Sequence, residues 1–334
     1  MKKRVIRLHR PPSFLSCAAV GGREEAAGTL GGAFDFIEPG DKFGMPTWEL
    51  AEGELGRCAL NLALKKAHMS PSALSYLFAG DLQNQCVASS SGLYPFGIPY
   101  VGLYGACSTC TEALMCLSVF LSEENDAGLC GAAVTTSHNC AAERQFRTPL
   151  EYGGVRSPTA QWTATAAGAF LLTAGEGDVI LSEVMPGKIV RGGITDATDM
   201  GAAMAPAAAD TILTYFRETG ADPASFDAVV TGDLGKYGSS LLLELLREDG
   251  LELGRRHRDC GCLLYDFERQ DIHAGGSGCG CSASVLAAHF LPSLRRGEMK
   301  DILFLSTGAL MSPGSVQQGE NIAGVAPLIR IRHR

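Results

Sequence analysis

The sequence predicts an α/β fold made of two duplicated βαβ-type halves. Short apolar strands alternate with helix-like segments, and the pattern of the first half returns in the second half at a constant spacing. Alternation of strands and helices is typical of βαβ units and of a mostly parallel sheet. With 334 residues, of which 46% are hydrophobic, the chain is long enough for about two domain-sized units.

The first repeated segment is a capped turn followed by a strand that ends in Gly-Asp. Residues 70–82 and 222–234 both place a serine or aspartate before proline, continue into a short apolar strand, and reach Asp81 and Asp233. The two aspartates are 152 positions apart, as are the two prolines. The helix-like segments before them correspond as well: 48–68 and 203–219.

The second repeated segment is a helix that begins at a cysteine. Cys107 and Cys279 are 172 positions apart, and the apolar strands after the two helices, 131–135 and 302–307, also end 172 positions apart. A duplication therefore explains both spacings, and it divides the chain into an N-terminal half that carries Cys107 and a C-terminal half. The predicted halves are residues 1–170 and 171–334.

The difference between the two spacings predicts an insertion in the second half. Twenty extra residues fall between positions 235 and 278. Within them, the segments 262–265 and 269–272 are candidates for the two strands of an inserted hairpin.

Composition and charge exclude several classes of protein. The 46% hydrophobic and 19% charged content excludes wholesale disorder, and a net charge of −8 argues against a nucleic-acid binder. Twelve cysteines are too few for a disulfide scaffold of this length and fit a reducing compartment. The basic start is followed by Pro11 and Pro12, and no window of about 20 residues is apolar throughout, so we predict neither a signal peptide nor a transmembrane segment.

Polar residues follow several of the predicted strands. Ligands of parallel α/β sheets bind beyond the carboxyl ends of the strands, where the loops converge. This rule predicts one neighbourhood for Asp81, Cys107, His138, Asp233 and the loop 275–281.

Cys107 has two interpretations. A cysteine at a helix start lies near unpaired N–H groups and the positive end of the helix dipole, which favour a nucleophilic thiolate. The same position also suits a small buried residue that packs against the strand-to-helix turn. Cys107 and Cys110 form a CxxC pair typical of redox dithiols, and the CxC pairs at 260/262 and 279/281 would suit zinc if they converged.

The architecture and several segments resemble a known family. A strand–turn–helix cysteine in a duplicated α/β chain is typical of the thiolase superfamily. Within it, the chain resembles the stage V sporulation protein AD family over about residues 28 to 325. The segments that carry the resemblance are 81–84, 105–109, 136–139, 141–147, 148–154, 193–196, 199–210 and 275–279.

The resemblance implies a fold and a function. The fold is thiolase-like, with the two halves packed as a layered α-β-α-β-α sandwich. The implied function is to bind dipicolinic acid (pyridine-2,6-dicarboxylate) or its calcium complex and to support its uptake into the developing spore and its release at germination, together with SpoVA membrane proteins. The implied location is peripheral at the spore inner membrane, and the implied assembly is a homodimer. No cofactor or metal site of the protein's own is expected, and calcium would enter with the ligand.

The same resemblance argues against catalysis. Condensing relatives pair the cysteine with a histidine and an asparagine, but here Asp233 follows the second-half strand and the loop 275–278 holds no asparagine. His138 is a possible substitute, or it satisfies backbone groups of its loop. We therefore predict that the protein is not an enzyme; the alternative is an active thiolase-like acyltransferase or condensing enzyme that uses Cys107. The predicted ligand-binding residues are Asp81, Asn84, Cys107, Ser108, His138, Asn139, Asp233, Gly275, Gly276, Ser277 and Cys279.

Overall fold

The computed structural model describes residues 3–123, 126, 128–146 and 156–334. The strands are β1 (Ile6–Arg7), β2 (Ser13–Gly21), β3 (Phe36–Ile37), β4 (Tyr76–Gly80), β5 (Tyr100–Leu103), β6 (Cys130–Ser137), β7 (Trp162–Thr163), β8 (Ala166–Thr173), β9 (Val179–Met185), β10 (Val190–Arg191), β11 (Ala228–Thr231), β12 (His257–Asp259), β13 (Gly276–Ser277), β14 (Asp301–Leu305), β15 (Gly308–Leu310), β16 (Ala323–Val325) and β17 (Leu328–His333). The helices are α1 (Arg23–Ala27), α2 (Trp48–Lys66), α3 (Val87–Leu93), α4 (Thr109–Glu123), α5 (Asn139–Phe146), α6 (Met200–Thr219), α7 (Gly235–Glu248), α8 (Cys260–Leu264), α9 (Cys279–Val285), α10 (Leu291–Arg295) and α11 (Pro313–Gln317).

The main sheet repeats one arrangement of five strands twice. Its order is β5-β4-β6-β8-β2 followed by β9-β17-β14-β11-β12. From either outer edge inward, two parallel pairs are followed by two antiparallel pairs. The expectation of a mostly parallel sheet is therefore wrong, because the alternation of strands and helices does not encode the direction of β8, β2, β17 and β9. The repeated order makes β4 equivalent to β11 and β5 equivalent to β12.

The helices form three layers around the two halves of the sheet. Helices α2 and α3 pack on the first half from outside, α6 and α7 lie outside the second half, and α4 and α9 lie between them. Strand side chains alternate accordingly: on β6, Ala133 faces the central helices and Val134 faces the outer ones. On β14, Phe304 faces inward and Leu303 faces outward. The predicted α-β-α-β-α layering is confirmed.

Helix α9 is buried along its whole length, which explains its small side chains. Every residue from Cys279 to Val285 is buried. A Cβ on Gly280 would lie 2.2 Å from the carbonyl oxygen of Ala166, and a Cβ on Gly168 would lie 2.7 Å from the Cβ of Ala283. Glycine at both contact points therefore lets α9 rest directly on β8, and this packing fixes where α9 begins.

The region of the predicted insertion holds a helix and turns. The segment 262–265 falls in and just after α8, and 269–272 contains no strand, so the hairpin prediction is wrong. The Asp259 side chain accepts a hydrogen bond from the Cys262 N–H (3.1 Å) and starts the helix. A short apolar run does not distinguish a buried helix from a strand, which explains the error.

The boundary between the predicted halves stays a prediction. Residues 170 and 171 both lie within β8, which pairs with β2 and β6 of the first half. In the part of the chain that the structure describes, no helix combines the length and apolar character needed to cross a membrane.

Candidate functional site

A cavity of about 390 Å³ opens beside the start of α4, and we call it the Cys107 cavity. Residues from both halves of the chain form its wall, as expected where loops at strand carboxyl ends converge. Its described lining residues are Leu82, Tyr104, Ala106, Cys107, Ala142, Glu143, Phe146, Gln161, Thr163, Thr198, Met200, Ser277, Ala309, Leu310, Met311, Ser312, Ser315 and Glu320. Apolar side chains dominate, and no lysine, arginine or histidine is among these described residues.

Cys107 reaches the cavity wall through a strained turn. A 3₁₀ turn, Ala106–Ser108, leads directly into α4. Ala106 has a φ of +53°, a left-handed conformation that non-glycine residues rarely adopt and that often occurs at functional sites. The Cys107 Sγ lies 3.8 Å from the Ser277 Oγ on the opposite half.

Burial makes Cys107 a thiol instead of a thiolate. Desolvation raises the pKa of Cys107 well above its ordinary value, and the nearby Asp233 carboxyl raises it further. The expectation that the helix start favours a thiolate is therefore wrong in its net direction, because burial outweighs the dipole. A neutral thiol is a weak nucleophile.

Asp233 lies behind the cavity wall and joins three elements. Its carboxylate accepts hydrogen bonds from the Gly278 N–H (2.9 Å), the Ser277 hydroxyl (3.2 Å) and the Thr307 hydroxyl (2.8 Å). Its side chain is completely buried. Burial raises the pKa of Asp233 to about 7, although the interaction with Cys107 and these hydrogen bonds oppose that effect.

Asp81, the equivalent aspartate of the first half, closes its own loop. It accepts hydrogen bonds from the backbone N–H groups of Gln83 (2.8 Å) and Ser89 (2.7 Å) and from the Ser89 hydroxyl. Glu52 on α2 lies close by and accepts a hydrogen bond from the Gln83 side chain (2.6 Å). Burial raises the pKa of both carboxyls, and their mutual repulsion raises that of Glu52 further. Neither residue lines the cavity.

The remaining predicted residues do not belong to the described wall of the cavity. His138 is buried, and its Nε2 lies 2.7 Å from the Asp41 carbonyl oxygen. Burial lowers its pKa, so the ring is neutral at pH 7. Asn139 donates to the Thr163 carbonyl oxygen (3.3 Å), and Asn84 accepts from the Tyr104 hydroxyl (3.0 Å).

Four further predicted residues have structural roles. The Ser108 hydroxyl lies 2.6 Å from both the Gly105 carbonyl oxygen and the Glu112 carboxylate. The Cys279 Sγ donates to the Thr136 carbonyl oxygen (2.9 Å). Gly275 has a φ of +113°, which only glycine adopts readily, and Gly276 belongs to the short strand β13. The contact of these residues with a ligand stays a prediction.

The structure also bears on the cysteines that the redox and zinc interpretations would use. Cys110 faces the central core and is buried, and burial raises its pKa to about 12. All twelve cysteines are free thiols. Within the described ranges, no group of three or more histidine, cysteine or acidic side chains is arranged to hold a metal ion.

Several cavity residues were not among the sequence candidates. Gln161 and Thr163 come from the two-residue strand β7 and its flank, a segment too short to give a periodic signal. Gln161 donates to the carbonyl oxygens of Asp233 and Gly276 (both 2.8 Å), while its Oε1 has no hydrogen-bond partner among the described residues. Met311 directly follows β15. The signal available for this wall was the repeat spacing, which makes the segment after β14 equivalent to the segment after β6.

Two neighbouring charged side chains of α5 have different contacts. Glu143 lines the cavity, whereas Arg144 is paired with Glu49 and lies 5.2 Å from the ring centre of Trp48. Arg147 lies outside the described residues.

The comparison with known families decides where the chain belongs. The profile described as "Stage V sporulation protein AD (SpoVAD)" matches residues 2–332. The chain belongs to the stage V sporulation protein AD family. It is 40% identical over 318 residues to stage V sporulation protein AD of Bacillus subtilis (strain 168), an alignment that covers 94% of this chain and 93% of that protein. Membership in this family makes it a protein of sporulation.

Solved structures confirm the thiolase-like fold of this family member. A 3-oxoacyl-[acyl-carrier-protein] synthase III from Aquifex aeolicus VF5 matches with a TM-score of 0.59 at 10% identity, over 96% of this chain and 100% of that one. A variant of Xanthomonas campestris OleA matches with a TM-score of 0.61 at 12% identity, over 98% of this chain and 99% of that one. At these identities the likeness concerns the fold alone.

Proposed function

We propose that this member of the stage V sporulation protein AD family binds dipicolinic acid, free or as its calcium complex, in the Cys107 cavity. The observation that carries the proposal is the cavity itself. Its volume of about 390 Å³ falls in the range of small-molecule sites, and its apolar wall suits the faces of an aromatic ring. Hydroxyl groups of Thr163 and Ser312 suit the ring's carboxylates, and Ser277, whose hydroxyl donates to Asp233, lines the same cavity.

The state of Cys107 supports binding without catalysis. A thioester condensation needs a thiolate nucleophile and groups that stabilise the developing oxyanion. Cys107 is a buried thiol next to the Asp233 carboxyl, which opposes its ionisation. His138 does not line the cavity and its Nε2 is engaged with Asp41. We infer that the protein uses a condensing-enzyme fold to hold a ligand.

Calorimetric titration of the full chain with dipicolinate tests the proposal. Picolinate and benzoate, which each carry one carboxylate, serve as ligand controls. Dipicolinate should bind at least about tenfold more tightly than either control, because a second charge-assisted contact contributes more than 1.4 kcal/mol. Equal affinities, or no heat with any of the three, would contradict the proposal.

A second candidate function is acyl transfer through Cys107. It is favoured by the strained turn at Ala106 and by the position of the Cys107 side chain on the cavity wall. Intact-mass measurement after incubation with acetyl-CoA separates the two functions. An acylated Cys107 that is discharged to an acceptor at roughly 1 s⁻¹ or faster would establish the enzyme.

We propose that β5 joins two copies of the chain in a homodimer. Strand β5 is an outer edge of the main sheet, and Tyr100, Val101 and Tyr104 on or next to it are exposed. Residues 82–111 contain no charged side chain and no histidine. An uncharged apolar edge is prone to pair with another strand, and two identical edges match each other about a twofold axis without like-charge repulsion.

The cellular role extends the proposal. As a ligand-binding partner of SpoVA membrane proteins, peripheral at the spore inner membrane, the protein would support dipicolinate uptake into the developing spore and release at germination. Membership in the family supports this role. Co-purification of the full chain with these membrane proteins from sporulating cells tests it, and a Cys107→Trp chain that still co-purifies would show that docking does not need an open cavity.

A further inference from the structure

We infer that a carboxylate ligand entering the Cys107 cavity is accompanied by the uptake of a proton at Asp233. The inference rests on the proposed function, and it names a coupling between the ligand and a buried group that does not touch it. Its basis is the arrangement of Ser277, Cys107 and Asp233 between the cavity and the core.

The first step is the short path from the cavity to Asp233. Ser277 and Cys107 line the cavity, and the Ser277 Oγ lies 3.2 Å from the Asp233 Oδ2. A ligand oxygen that contacts Ser277 would therefore lie roughly 6 Å from the Asp233 carboxylate. Little water separates the two, because Asp233 is completely buried and Ser277 is largely buried.

The second step is that no positive charge among the described residues offsets Asp233. The donors to its carboxylate are the neutral Ser277 hydroxyl, the Gly278 N–H and the Thr307 hydroxyl. The exposed Lys236 on α7 lies over the ring of Tyr237 instead. The titratable groups that face Asp233 from the neighbouring elements are Cys107, Asp259, Cys260 and Cys281.

None of these neighbours supplies a compensating charge. Asp259 is an acid itself and is held by the Thr231 hydroxyl and by the N–H groups of Leu234, Gly235 and Cys262. Burial raises the pKa of the three cysteines, which therefore stay neutral at pH 7. A dicarboxylate placed beside this region adds negative charge to a site that already holds buried acids.

The third step is the response of Asp233. Because burial raises its pKa to about 7, Asp233 is roughly half protonated in the free protein at neutral pH. A bound anion about 6 Å away raises that pKa further, and the remaining anionic fraction then takes up a proton from solution. The cavity wall carboxylates Glu143 and Glu320 are at least partly exposed, so solvent screens them more strongly.

Calorimetry in buffers of different ionisation enthalpy measures this proton directly. The full chain is titrated with calcium-free sodium dipicolinate in phosphate and in Tris at pH 6, 7 and 8, where both ligand carboxyls are ionised. For the unchanged chain we expect little uptake at pH 6, about half a proton per ligand at pH 7 and more at pH 8. The affinity should fall correspondingly as the pH rises from 7 to 8.

Three variants test whether Asp233 is the group that takes up the proton. Asp233→Asn should bind with a heat that is independent of buffer and an affinity that is independent of pH. Asp81→Asn, at the equivalent position of the first half, and Glu143→Gln, on the cavity wall, should both keep the uptake. Uptake that persists in Asp233→Asn, or that disappears in Glu143→Gln, would overturn the assignment to Asp233.

A measurement on the unchanged chain covers the case that Asp233→Asn does not fold. The calcium chelate of dipicolinate is neutral overall, so it should bind with clearly less proton uptake than the free dianion at pH 7 and 8. Equal uptake for both forms would overturn the inference. Binding without any buffer dependence would do so as well and would leave the proposed function intact, whereas the absence of binding would overturn the proposed function itself.

Discussion

The two halves of the molecule place the same residue types at equivalent points and use them differently. Asp81 and Asp233 both follow the strand at the second position from an outer edge. Asp81 accepts hydrogen bonds from its own loop, at Gln83 and Ser89, whereas Asp233 joins the start of α9 to the end of β14. At equivalent points of the repeated backbone, Asp81 therefore stabilises a local turn, and Asp233 connects two elements behind the cavity.

The cysteines at the two equivalent helix starts differ in the same way. Cys107 lines the cavity, while the completely buried Cys279 donates to the Thr136 carbonyl oxygen. The two side chains nevertheless pack in one small cluster with Leu82 and Ala142. One half thus presents its helix start to the cavity, and the other half uses its helix start as support.

The largest expected difference between the halves comes from added bulk at these cysteines. Cys107→Trp should weaken dipicolinate binding at least about a hundredfold with little change in melting temperature, because the indole extends into the cavity. Cys279→Trp should instead lower the melting temperature strongly, because α9 has no space for it. Calorimetry and thermal melting of both variants measure the two effects.

A size-matched control completes that experiment. Cys58 is only partly buried, on the outer helix α2, so Cys58→Trp should change neither property strongly. Unchanged dipicolinate affinity in a folded Cys107→Trp protein would show that the ligand binds elsewhere.

The outer edges of the sheet give the next contrast. The exposed arginines Arg255, Arg256 and Arg258 lie on or beside β12, and charged edges resist strand pairing, whereas β5 is apolar. Val101→Lys on β5 should convert the proposed dimer into a monomer in analytical ultracentrifugation. Arg258→Ala, on the opposite edge, should leave the dimer unchanged. A Val101→Lys protein with an unaltered sedimentation coefficient would rule out pairing through β5.

Sequence spacing predicted the repeated backbone well and the local chemistry less well. The spacings of 152 and 172 located the equivalent loops and helix starts, since a duplicated chain conserves distances along itself. The pKa of Cys107 depends on its burial and on Asp233, a residue far away in the sequence. The local rule for helix starts predicts a lowered pKa, whereas burial and Asp233 raise it. Gln161 was not predicted because its hydrogen bonds to Asp233 and Gly276 form only where β7 pairs with β13.

A smaller effect is expected from Asp233 on the way the free energy of unfolding depends on pH. Its folded-state pKa is raised from 3.8 to about 7, so the free energy of unfolding falls as the pH rises through this window. This fall is at most of the order of 4 kcal/mol. Asp233→Asn should flatten that part of the profile in urea unfolding between pH 4 and pH 8. The exposed Asp249→Asn should not, and identical profiles for all three proteins would contradict the buried state of Asp233.

The smallest effect is expected from removing the Cys107 sulfur. Because the thiol is neutral at pH 7, it contributes shape to the cavity wall, and Cys107→Ala should reduce dipicolinate affinity by no more than about fivefold, the equivalent of one buried methylene-sized group. Cys279→Ala, which empties space in the core, should lower stability slightly and leave affinity unchanged. If Cys107→Ala abolished binding while circular dichroism and melting stayed unchanged, the sulfur would act on the ligand directly. The two helix starts would then differ in chemistry as well as in position, and acyl transfer through Cys107 would become the better account of the site.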